Sequence, residues 1–83
     1  MREESALRRI QVVGAGCPKC GMLEDRLEEA LRLLRVRWRI ERVIDPEQMA
    51  RFDPPGVPAL FIDGELVLAG RVPEAEDLAA LLR

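Results

Sequence analysis

The chain contains no histidine, asparagine, threonine or tyrosine, and its only lysine is Lys19. Without histidine there can be no Cys–His or Ser–His nucleophile pair and no His-ligated metal site. Cysteine occurs twice, at Cys17 and Cys20, and two thiolates cannot close a four-ligand structural zinc site in one copy of the chain. Aromatic residues are scarce: one Trp and two Phe offer little for base stacking. With 13 basic against 15 acidic residues and a net charge of −2, there is no basic excess to draw a nucleic acid, and none is expected as a partner. No apolar run approaches the roughly 18–20 residues of a membrane span. Glu3 and Glu4 fall where an export signal would begin its apolar stretch of about 7–15 residues. A cytoplasmic protein with no membrane association is therefore expected.

What is present is ordinary for a globular protein: 83 residues, 48% hydrophobic and 34% charged. That is enough for one domain, 1–83, close to the lower size limit for folding without staples. There is no internal repeat, low-complexity tract or linker.

The pattern along the chain alternates strands and helices. Leu7 to Val13 is a β-rich run that ends at Gly14-Ala15-Gly16, a buried strand followed by a loop. Pro18 then suits the first position of a helix, where its missing N–H costs nothing. Leu23, Leu27, Ala30, Leu31 and Leu34 form one apolar face of a helix over about 18–34. Residues 36–41 alternate apolar with charged, as a half-exposed edge strand does. Asp45-Pro46-Glu47-Gln48 combines an N-cap, a first-position proline and a polar third residue, so a short helix is expected over about 46–52. Asp53-Pro54-Pro55-Gly56 stops it. Pro58 to Ile62 and Glu65 to Ala69 are strands joined by Asp63-Gly64, the strongest hairpin signal in the chain. Pro73 begins a last helix packed through Leu78, Leu81 and Leu82. The order β-α-β-α-β-β-α, with a parallel pair from the first βαβ unit and an antiparallel hairpin, predicts an α/β fold: a four-stranded mixed sheet with helices on both faces.

The chemistry concentrates in Cys17-Pro18-Lys19-Cys20. Cysteines three apart on the first turn of a helix lie within disulfide reach. Cys17 falls at the N-cap, where free N–H groups and the positive end of the helix dipole favour a thiolate, and Lys19 adds a nearby positive charge. Cys17 is therefore the expected nucleophile and Cys20, one turn inward, the resolving thiol. Pro18 and Lys19 shape the motif. A CxxC between a strand and a helix reads as a redox centre. A soft-metal carrier or sensor, holding a thiophilic cation between the two sulfurs, is the alternative reading.

Gly16-Cys17-Pro18-Lys19-Cys20 after a strand, with Gly56-Val57-Pro58-Ala59-Leu60 before a hairpin, resembles the thioredoxin-like superfamily. The resemblance is nearer to its very small members, the redox-active disulfide proteins, and runs from Leu7 to Leu82. It implies a minimal thioredoxin-like fold and thiol–disulfide exchange without a cofactor or bound metal. It also implies a Val57–Pro58 bond that is cis and faces the disulfide, with Gly70-Arg71 in a neighbouring loop. Val57 would present backbone groups to an extended substrate. X–Pro bonds are the ones that tolerate cis; an ordinary trans loop proline is the lesser alternative. The implied partners are a disulfide-bearing protein or small molecule and a recycling reductase, with the chain acting as a monomeric cytoplasmic reductant. Two departures stand out: Gly16 precedes the first cysteine in place of an aromatic residue, and the first strand carries no acid. Gln11 is the only polar side chain in that strand's buried stretch, and Glu24 is placed to approach from the helix.

Other residues read as structural. Met22 is expected to fill a packing gap rather than guard the site, and Trp38 to pack on the second strand. Arg35, Arg37, Arg39 and Arg42 form a basic cluster around that strand, either a solvated face or a surface for an acidic partner.

Overall fold

A computed structural model of the chain describes residues 8–14 and 18–82. Seven elements follow in order: β1 (Arg9–Val13), α1 (Pro18–Leu34), β2 (Arg39–Val43), α2 (Pro46–Phe52), β3 (Ala59–Ile62), β4 (Glu65–Ala69) and α3 (Ala75–Leu82). They build one four-stranded sheet in the order β2-β1-β3-β4. β1 and β2 are parallel, and β3 runs antiparallel to both β1 and β4. This is the mixed α/β arrangement that the sequence pattern implies.

Period-two alternation divides the sheet between two cores. Ile10, Val12, Leu60, Ile62 and Leu68 meet Leu23, Leu27, Ala30 and Leu31 of α1 and Leu78, Ala79 and Leu82 of α3. Val13, Val43, Ala59 and Phe61 face the other way, against Met49 and Phe52 of α2. The rings of Phe52 and Phe61 pack edge to face, 4.8 Å between centroids. Leu23, Leu27, Leu60 and Leu78 are fully buried, each contributing on the order of 1.5–3 kcal/mol of transfer free energy. Helices thus cover both faces, α1 and α3 on one and α2 on the other.

The local devices act as their chemistry dictates. Asp45 caps α2 by accepting from the Gln48 N–H, and Pro46 takes the first turn. Asp63 and Gly64 both have positive φ, 52° and 88°, as the tight right-twisted hairpin turn requires. α1 ends with Arg35 at φ 59°. The Val36 N–H then donates back to the Leu31 carbonyl, closing the last turn in the Schellman manner.

Several expectations shift. The third strand starts at Ala59 rather than Pro58, and Leu81 stands exposed on the last helix while Ala79 enters the core. The first strand begins at Arg9, and Leu7 lies outside the described residues. β2 starts at Arg39 rather than 36 and extends to Val43. Its alternation sets the period but not the start, which is decided by parallel pairing of Arg9 with Arg39 and Val13 with Val43. Trp38 consequently sits in the connection before β2. It still packs against the α1–α3 core, with the Arg8 guanidinium 5.3 Å over its ring. The last helix starts at Ala75 rather than Pro73, and the Glu74 carbonyl accepts from the Leu78 N–H.

This topology places the site. Parallel β1 and β2 bring their C-terminal ends to one edge of the sheet, and antiparallel β3 brings its start there too, with Val13 opposite Ala59. The Gly14 N–H donates to the Val43 carbonyl at 3.1 Å. The Gly70 N–H donates to the Pro58 carbonyl at 2.8 Å.

Candidate functional site

At this edge three chain segments converge on one sulfur. Pro18 opens α1 and is exposed, as is Lys19, while Cys20 in the same first turn is half-buried. Cys17 lies outside the described residues, with Ala15 and Gly16. On the facing side, the Val57–Pro58 peptide bond is cis. The Pro58 side chain is fully buried, whereas Val57 is 50% exposed at the rim.

Gly14 is where they meet. It has φ +149°, and a Cβ built on it would stand 2.8 Å from Cys20 Sγ. The same Cβ would stand 3.6 Å from Pro58 Cα and 3.6 Å from Val57 Cβ. The bare glycine face is thus the space into which the thiol and the Val57–Pro58 segment fit. As a sequence feature, Gly14 is only the start of a Gly-Ala-Gly loop. Its steric role depends on a contact with Cys20 and another with Pro58, and neither has a local signature.

A second feature lies beside the thiol. Arg42 sits near the end of β2, on the face that α1 covers, because Val43 next to it belongs to the α2 face. Its guanidinium forms a two-pronged ion pair with Glu24: Arg42 Nε donates to one carboxylate oxygen, and Nη2 to the other at 2.9 Å. Glu24 follows Cys20 by four residues, one helical turn along the same face of α1. Its side chain is only 17% exposed, against 66% for Arg42. The Glu24 hydrogen bond and charge hold the Arg42 guanidinium above its ordinary range, slight burial opposes this, and the charge of Cys20 adds in the raising direction. Arg42 is therefore solvent-exposed but held by Glu24 of α1.

The remaining placements are brief. Gln11 shares the α2 face with Val13 by alternation and lies away from the thiol. It is 8% exposed, and its Oε1 has no partner among the described residues. Met22 fills no packing gap. It stands 46% exposed on α1, because the helix turns the two residues after Cys20 outward while Leu23 enters the core. Among the described residues, no three His, Cys, Asp or Glu side chains converge as a metal site, and no helix is long and apolar enough to cross a membrane.

What the arrangement can do chemically is thiol exchange. A thiol on the first turn of a long helix lies against Gly14, which the Val57–Pro58 segment also approaches, with a charged pair one helical turn further along α1. The sequence profile of the family described as the thioredoxin domain matches residues 8–83. A thioredoxin of Methanothermobacter thermautotrophicus is 33% identical over 76 residues, covering 92% of this chain and 99% of that protein. A thioredoxin of Methanocaldococcus jannaschii is 30% identical over 76 residues, covering 89% of this chain and 85% of that protein.

Proposed function

This chain belongs to the thioredoxin family, and from that premise we propose that it exchanges a Cys17–Cys20 dithiol with disulfides, as a cytoplasmic reductant. The Cys17 thiolate attacks one sulfur of the target disulfide. A Cys17–S–S–target bond forms, and the other target sulfur leaves with the electron pair and takes a proton from solvent. Cys20 then attacks Cys17 Sγ, closing the Cys17–Cys20 disulfide and releasing the second target thiolate. The target has gained two electrons and the protein has lost two. A recycling reductase must return them, and no cofactor enters the exchange itself.

The observation that carries this reading is the niche of Cys20. Its sulfur lies against Gly14, next to the Val57–Pro58 segment, at the start of a 17-residue helix. The N-terminal end of such a helix stabilises a thiolate, and Lys19 adds charge. Pro18 starts the helix and so sets the direction of its dipole. Val57, exposed at the rim, supports docking of an extended substrate through its backbone, with Pro58 forming the wall behind it. The substrate is a disulfide-bearing protein or small molecule, met by the chain as a monomer.

Reduction of a model protein disulfide, with dithiothreitol as electron source, tests the proposal. Cys17→Ser abolishes turnover, whereas Cys20→Ser accumulates a mixed disulfide that is detectable by mass. Wild-type turnover in both variants would remove the redox reading.

A further inference from the structure

The motif itself accounts for the first thiol, since Cys17 directly precedes the helix-opening Pro18 in the sequence, with Lys19 two residues on. It leaves open what favours ionisation of the second. Cys20 must itself become a thiolate to resolve the mixed disulfide, yet it is half-buried, and burial disfavours the charged form. A fixed positive charge is available from another element. β2 sends Arg42 to the α1 face, and Glu24, one turn after Cys20, clamps that guanidinium through both of its oxygens. A long, exposed arginine would otherwise sample many rotamers, and the two-pronged pair holds its planar group in one orientation.

We propose that Arg42, held in place by Glu24, is the electrostatic partner of Cys20 and stabilises the thiolate that Cys20 forms when it resolves the mixed disulfide. The inference rests on the redox reading and adds a residue outside the CxxC motif to it. Cys20 is the one group besides Glu24 whose charge raises the Arg42 pKa, and by reciprocity the guanidinium favours ionised Cys20. The other charged neighbours are Lys19 and Glu24 on the same helix. Gly14 and the Val57–Pro58 segment, from the other elements around the sulfur, bring no charge. In the resolving step the Cys20 proton leaves to solvent. The Cys20 electron pair forms the bond to Cys17 Sγ, and the Cys17–target S–S bond breaks with its pair on the departing thiolate. Glu24 is a positioning residue in this scheme, because it acts through Arg42.

The test has two readouts. In a Cys17→Ser background, Cys20 is titrated by its ultraviolet thiolate absorbance and by its alkylation rate against pH. Arg42→Met raises the Cys20 pKa by at least about half a unit, a roughly threefold loss of thiolate below the pKa. Arg42→Lys gives a smaller rise, since it keeps the charge but loses the two-pronged clamp. Arg37→Met, an exposed arginine before the start of β2 and so at the other end of that strand, leaves the value unchanged. In the protein with both cysteines, Arg42→Met lengthens the lifetime of the mixed disulfide with a small-molecule disulfide about threefold at neutral pH. The rate at which that disulfide forms stays within twofold, because Cys17 attack does not use Arg42. Arg42 is exposed, so folded variants are expected, and circular dichroism checks this. A Cys20 pKa in Arg42→Met equal to that in Arg37→Met, with unchanged resolution, overturns the inference and leaves the redox reading intact. Failure of the wild type to form any mixed disulfide overturns the redox reading instead.

Discussion

Replacing Gly14 by alanine puts a methyl carbon 2.8 Å from Cys20 Sγ, where non-bonded heavy atoms prefer about 3.5–4.0 Å. The overlap is close to an ångström, and retreat is blocked. Pro58 Cα and Val57 Cβ already stand at 3.6 Å, the Pro58 side chain is fully buried, and the Gly14 N–H is tied to the Val43 carbonyl. The backbone adds a second cost, because φ +149° is a conformation that L side chains rarely adopt, at about 1–3 kcal/mol. Overpacking contributes about 1–3 kcal/mol more, and the stiffer unfolded chain returns about 0.4–1 kcal/mol. A net destabilisation of about 1–5 kcal/mol is expected, read as a lower denaturant midpoint of the reduced protein with an unchanged slope. The alkylation rate of Cys20 in the same variant should change as well, since the sulfur is the atom displaced. Gly21→Ala supplies the opposite sign. Gly21 lies inside α1 with nothing within 4 Å of an added Cβ, so alanine should stabilise by about 0.5–1 kcal/mol. A Gly14→Ala midpoint equal to wild type would refute the steric reasoning. Equal losses for the two glycines would show that the effect is not local to the sulfur.

Two further outcomes follow from the same structure. Asp45→Ala removes the side-chain acceptor for the Gln48 N–H and should cost about 0.5–2 kcal/mol, measured by denaturant titration, with Asp45→Asn close to wild type. Lys19→Glu should raise the Cys17 pKa by less than about half a unit at physiological ionic strength, because the side chain is exposed and screened. The shift should grow at low salt, and its absence at every salt concentration would assign the activation of Cys17 to the helix end alone.

The sequence by itself determined the elements whose signals are local. The 3.6-residue recurrence of leucines behind Pro18 marks a helix whose observed span, Pro18–Leu34, agrees with that pattern to the residue. The Asp45-Pro46 cap and the Asp63-Gly64 turn work through neighbours a few positions away, so they too were legible. The spacing of Cys17 and Cys20, after a strand and before a helix pattern, is likewise a local signal, and the exchange chemistry proposed above starts from it. Tertiary structure decided whatever depends on segments distant in the chain. The start of β2 was set by its register against β1, which residues 36–41 do not encode. That register also chose the face of Arg42 and so its ion-pair partner Glu24, 18 positions away. Gly14 owes its steric importance to Cys20 from the following helix and to Val57–Pro58 from a strand entry more than 40 residues downstream. A side chain's partners across a sheet follow from strand pairing, and strand pairing is settled by how the two cores close around the whole sheet.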